Sequence, residues 1–181
     1  MALSYRKSPI HQGGIVAGAQ LWKTDQQKSL ANFALLAADS RALHVHYEAL
    51  IGSIEEEVSR ILAFLEIPNN EGIFQFYKDE ITIENAKKHG AWKNLSKEII
   101  PTNVNKFETE LTPLEIKIIE KICYWEMLHL GYTPKSVQEE LDAISSDKIE
   151  ELAFEEELKF PRKLDGPVLS NMQAKSRFYQ R

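Results

Sequence analysis

The sequence predicts an α/β protein in which helices dominate and few strands remain, and three observations carry that expectation. Leu43, Val45 and Tyr47 alternate with Ala42, His44 and His46, the period of two that sends successive side chains to opposite faces of a sheet. Ile54, Val58, Ile61, Leu62 and Leu65 follow at once with the spacing of one helical face. Leu114, Ile118, Ile122, Trp125 and Leu128 repeat that spacing later in the chain. With 181 residues, 43% hydrophobic and 27% charged, the composition is that of a globular chain, one domain plus a tail.

Residues 9–19, PIHQGGIVAGA, combine proline, paired glycine and small side chains, so a mobile connection is expected there. From residue 20 to residue 38 Trp22, Gln26, Leu30, Phe33, Ala34 and Ala37 fall on one helical face. Residues 42–47 read as a strand. Ser53 followed three residues later by Glu56 is a capping box, in which each side chain satisfies a backbone N–H of the first helical turn. That helix is expected to stop near Pro68, Asn69 and Asn70. A further helix over 71–85 leads into KKHGAWKNLSKEIIP, a loop with four lysines, one histidine and one acid. Thr112, Pro113 and Glu115 form a second capping box with proline at the first helical position. Gly131 is placed to end that helix in the left-handed conformation. After Pro134 the chain turns acidic, and residues 135–181 read as an appendage of one or two helices and a loose end.

Several function classes fall away on composition. A formal net charge of -5 argues against general nucleic-acid binding, which needs clustered basic surface. Any anion site is therefore local. The single cysteine, Cys123, excludes an intrachain disulfide and favours a reducing, cytoplasmic setting. No stretch reaches the roughly 18 apolar residues of a membrane span, and MALSYRKSP lacks the apolar core of a secretory signal.

HVHYEALI, EEVSRILAFLEIP, KNLSKEI, KFETELTPLEIKIIE and LGYTP, in that order, resemble the C-terminal half of cytosolic-type sulfotransferases. The resemblance covers about residues 1–134 and implies the C-terminal part of a P-loop-like three-layer fold. It also implies transfer of a sulfuryl group from 3′-phosphoadenosine 5′-phosphosulfate to a hydroxyl or amine of a small-molecule or glycan acceptor, with no metal. MALSYRKS is similar to the end of the family's RDPRDVALSYR stretch, so Ser4 matches its 3′-phosphate-binding serine. Tyr47 matches a tyrosine near the adenine. Lys87 and Lys88 resemble the Arg-Lys-Gly loop that closes on the 3′-phosphate, but KKHGAWKN has no arginine and a shorter spacing, which leaves Lys87, Lys88 and Lys93 as alternatives. The family's glycine-rich anion loop and upstream base have no counterpart here, and GGIVAGA has no Lys-Ser/Thr partner. The resemblance thus implies a sulfotransferase fragment that does not catalyse alone.

Plainer readings stand beside each of these. Tyr47 also fits a half-buried strand aromatic, and Lys87, Lys88, Lys93 and Lys97 a solvated loop. Trp22, Trp92 and Trp125 read as packing residues and Cys123 as a small buried filler. His44 and His46 share a strand face and could chelate a metal, but no third ligand lies nearby in sequence. The glutamates of 139–157 read as a solvated face. The rival function is a non-catalytic helical interaction module whose acidic segment 135–160 binds a partner. A homo-oligomer is compatible with either reading.

Overall fold

The computed structural model describes residues 1–7, 13–88 and 92–160. The described residues are mostly helical, in the order α1 (Ala2–Lys7), α2 (Gly14–Leu36), a 3-10 turn (Ala37–Asp39), α3 (Tyr47–Gly52) and α4 (Ile54–Phe64). A kinked 3-10 segment (Glu71–Lys78), α5 (Glu80–Lys88), α6 (Phe107–Glu110), α7 (Pro113–His129), α8 (Gln138–Asp142) and α9 (Ser146–Lys159) complete it. Two compact units form: residues 1–26 with 110–181, and residues 27–109.

In the first unit, α7 is built as its sequence requires. The Thr112 hydroxyl accepts the Glu115 N–H at 3.3 Å while Glu115 accepts the Thr112 N–H at 2.7 Å, closing the capping box. Gly131 takes φ 78°, and the N–H groups of Gly131 and Tyr132 reach back to the Leu128 and Met127 carbonyls at 3.0 and 2.9 Å. The buried stripe of α7 differs from expectation. Ile118, Glu120, Cys123 and Glu126 are buried, whereas Trp125 is 66% exposed and Leu114 and Leu128 are also exposed.

Part of the expected mobile connection is core. α2 starts at Gly14, six residues before the expected helix, and Ile15, Val16 and Ala19 are the best-buried part of it. Gly18 permits this, because a β-carbon there would crowd Tyr5 of α1. Residues 9–12 of that connection lie outside the described residues. Of the acidic segment, α8 packs on α7, and Leu141, Ile144 and Glu156 are buried. The expected loose end beyond residue 160 lies outside the described residues.

In the second unit, the expected strand does not form. Residues 41–46 take no regular secondary structure, and no strand occurs among the described residues. A segment without a ladder cannot satisfy its own backbone groups. One of them, the His44 carbonyl, accepts from Arg60 Nη2 of α4 at 2.8 Å instead. Tyr47 consequently opens a helix rather than closing a strand, and α3 packs against α4. The capping box at Ser53 is also absent. Ser53 closes α3, with its N–H on the Ala49 carbonyl, and simultaneously opens α4 at ψ 56°; its side chain makes no cap bond. At the working caps Thr112 and Ser145 ψ is 156°. α4 then ends four residues before Pro68, with Glu66 in the left-handed region at φ 55°.

Candidate functional site

Within the second unit, Tyr47 is the first residue of α3, directly after His46 in extended backbone. Its ring is 46% exposed, and its hydroxyl accepts from Asn103 Nδ2 at 2.8 Å. The same hydroxyl donates to the Asn103 carbonyl at 3.5 Å, so Asn103 holds the polar end of a half-exposed aromatic. α5 begins on Asp79, whose carboxylate accepts from the Thr82 N–H and hydroxyl at 2.9 and 3.1 Å. Ala86 is buried and anchors the helix, which leaves Lys87 and Lys88 exposed in its last turn. There the helix's own carbonyls favour cations. Lys88 Nζ donates to Asn85 Oδ1 at 2.8 Å.

His89, Gly90 and Ala91 lie outside the described residues. Lys93 follows in an exposed turn closed by the Leu95 N–H on the Trp92 carbonyl at 2.8 Å. Among the described residues no carboxylate pairs with Lys87, Lys88 or Lys93, so this basic stretch keeps its charge unneutralised. An anion carrying several negative oxygens suits it. Tyr47, Lys87, Lys88 and Lys93 belong to one unit, and Ser4, exposed on α1, belongs to the other.

His44 and His46 lie side by side, with ring centroids 4.5 Å apart. Burial, then the charges of His46 and Arg60, hold His44 below its ordinary value of 6.5. Among the described residues no group of three or more His, Cys, Asp or Glu is arranged to hold a metal ion. Cys123 is a buried filler: burial, with the nearby Glu126 charge, pushes its thiol up to about 12. Its Sγ donates to the Ala19 carbonyl at 3.4 Å. A thiol so held is no nucleophile.

Sequence reasoning missed a carboxylate network in the first unit. Glu156 of α9 is only 4% exposed. Its Oε1 accepts from Arg6 Nε and Nη2 at 3.0 and 2.7 Å. Its Oε2 accepts the N–H groups of Ile15 and Val16, at the start of α2, at 2.7 and 3.2 Å. Arg6 Nη2 also reaches Glu115 Oε1. A signal existed, since Glu156 interrupts a half-buried stripe of Ile149, Leu152, Ala153 and Phe160. A charge in the apolar stripe of a helix implies a partner.

The family model for the sulfotransferase domain matches residues 21–131, more than half of the chain. The chain belongs to the sulfotransferase domain family. The matched stretch of this sulfotransferase chain contains Tyr47, Lys87, Lys88 and Lys93; it begins after Ser4 and ends before α8 and α9. Neither the curated proteins nor the solved structures give a match. Among the described residues of this sulfotransferase chain, no helix is long and apolar enough to cross a membrane.

Proposed function

We propose that the chain binds 3′-phosphoadenosine 5′-phosphosulfate as donor substrate and takes part in sulfuryl transfer to a hydroxyl or amine of a small-molecule or glycan acceptor. The observation that carries this reading is the sulfotransferase-domain match over 21–131, within which the exposed Tyr47 and the unneutralised lysines are found. Tyr47 lies beside the adenine. Lys87, Lys88 and Lys93 supply point charges for the 3′-phosphate, and Ser4, in the other unit, is by itself a hydroxyl donor suited to a phosphate. In the reaction the acceptor oxygen or nitrogen attacks sulfur and forms a bond to it. The bond from sulfur to the nucleotide's phosphate oxygen breaks, and adenosine 3′,5′-bisphosphate departs with the electron pair. The acceptor's proton is released to solvent, and none of the five residues takes it. A free, buried Cys123 agrees with a cytoplasmic setting.

Calorimetric titration of the full chain with adenosine 3′,5′-bisphosphate tests the reading. Binding at about millimolar Kd or tighter is expected, a threshold equivalent to about 4 kcal/mol. Lys88→Ala and Lys93→Ala should each weaken it about fivefold, and added salt should do the same, because exposed charges are screened. No heat at millimolar nucleotide, or a Kd indifferent to both lysines and to salt, would overturn the assignment.

A further inference from the structure

The polar end of Tyr47 is tied to a single residue. Its hydroxyl accepts from Asn103 Nδ2 at 2.8 Å and donates to the Asn103 carbonyl at 3.5 Å, a pairing across 56 positions that stays inside one unit and inside the matched domain. The direction of these bonds is set from the far side of Asn103. Lys106 Nζ donates to Asn103 Oδ1, and an ammonium has donors only. The amide oxygen therefore faces Lys106, which turns the amide NH2 group toward Tyr47 and makes the hydroxyl its acceptor. The cation also polarises the amide and so strengthens the bond it gives. The turn carrying both residues is itself closed. The Asn103 N–H reaches the Ile100 carbonyl at 3.0 Å, Asn105 takes the left-handed conformation at φ 55°, and the Glu108 N–H reaches the Asn105 carbonyl at 3.0 Å.

We propose that Asn103 is a positioning residue for the donor's base, with Lys106 setting its orientation. The inference rests on the reading that Tyr47 lies beside the adenine, and all three residues belong to the unit 27–109. A half-exposed tyrosine free at its polar end swings about its side-chain torsions, and a ligand must stop that motion when it binds. Asn103 stops it beforehand. It also engages the hydroxyl both as acceptor and as donor, so Tyr47 meets the base through its ring, by stacking, and not through a hydrogen bond.

The test uses the full chain with Asn103→Ala, with Lys106→Met, with Tyr47→Phe, which keeps the ring and removes the hydroxyl, and with Asn103→Ala and Tyr47→Phe together. Calorimetry gives the affinity for adenosine 3′,5′-bisphosphate and for ribose 3,5-bisphosphate, which carries the phosphates without the base. The Tyr47 ring is followed in carbon-13 tyrosine spectra, where its resonance is the one lost in Tyr47→Phe. Expected in Asn103→Ala are a shifted Tyr47 resonance and nucleotide affinity weakened at least about threefold, the effect of one lost hydrogen bond, with affinity for the base-free ligand unaltered. Lys106→Met, which frees the amide to turn, should shift the same resonance. The double variant should bind the nucleotide within about twofold of the weaker single variant, because both changes remove the same bond. An unshifted resonance in Asn103→Ala would overturn the tether, and an unshifted one in Lys106→Met the part given to Lys106. Equal weakening toward both ligands would show a general loss of the unit and overturn the positioning role, as would additive losses in the double variant. Failure of the donor-site reading is separately visible, as absence of nucleotide binding in an unsubstituted chain whose Tyr47 resonance still responds to Asn103→Ala.

Discussion

Glu115 shows how one side chain can carry two structural duties. Its Oε2 accepts the Thr112 N–H and hydroxyl at 2.7 and 3.0 Å, and its Oε1 takes Arg6. Burial alone would raise its pKa, but the hydrogen bonds from the Thr112 N–H, Arg6 and the Thr112 hydroxyl, with the Arg6 charge, outweigh it. They hold the carboxyl below its ordinary 4.5. A carboxylate whose folded pKa is depressed adds stability that is present above the unfolded value and lost as pH falls through the folded one. The thermal midpoint should therefore drop on acidification from about pH 5 to about pH 3, and Glu115→Gln should drop less steeply over that window. Parallel curves for the two proteins would show that Glu115 gains nothing from folding. Cys123 is the opposite case, a titratable group that burial keeps neutral and silent.

At the level of the element, the same serine-or-threonine signature leads to two outcomes, and backbone geometry separates them. Thr112 sits in extended backbone at φ -73°, ψ 156°, which aims its hydroxyl at the first helical turn. Ser53 is shared between two helices at φ -138°, ψ 56°, and its hydroxyl makes no cap bond. Thr112→Ala should thus cost about 1 kcal/mol, and Ser53→Ala should change stability by less than about 0.5 kcal/mol, both measured by denaturant unfolding. Equal losses would refute the distinction. Residue spacing was enough to reveal α4, α7 and the glycine stop at Gly131, because those depend on neighbours within a turn or two. At 42–47 alternation does not make a strand, because it says only which way side chains point, whereas a strand exists only with a partner across the ladder. Likewise the small residues 13–19 look like a hinge in sequence, yet close packing on Tyr5 and the Glu156 carboxylate make them core. Exposure of Lys87, Lys88 and Lys93 follows from a polar local sequence, while the Arg6 and Glu156 pairing spans 150 positions and no local pattern encodes it.

Across the whole molecule the buried apolar side chains are unequally divided. Ala2, Ile15, Val16, Ala19, Leu111, Ile118, Cys123, Leu130, Leu141 and Ile144 belong to the first unit, and among the described residues the second has Leu62 and Ala86. Burial of each large apolar side chain contributes on the order of 2 kcal/mol, so the second unit opens far more readily than the first. It is also the unit carrying Tyr47, Lys87, Lys88 and Lys93. Binding sites on weakly held elements pay for ligand ordering when the ligand arrives, and a ligand that binds only the closed form stabilises that form by mass action. Hydrogen exchange followed by mass spectrometry should therefore find peptides from 27–109 exchanging at least about a hundredfold faster than those spanning 113–129, given the difference in burial. Saturation with adenosine 3′,5′-bisphosphate at about 100 times its Kd should slow the 27–109 peptides by up to about a hundredfold. Comparable protection in both units without nucleotide would mean that something other than apolar burial holds the second one closed. Slowing confined to 113–129 would place the nucleotide on the other unit and remove Tyr47 and the lysines from its site.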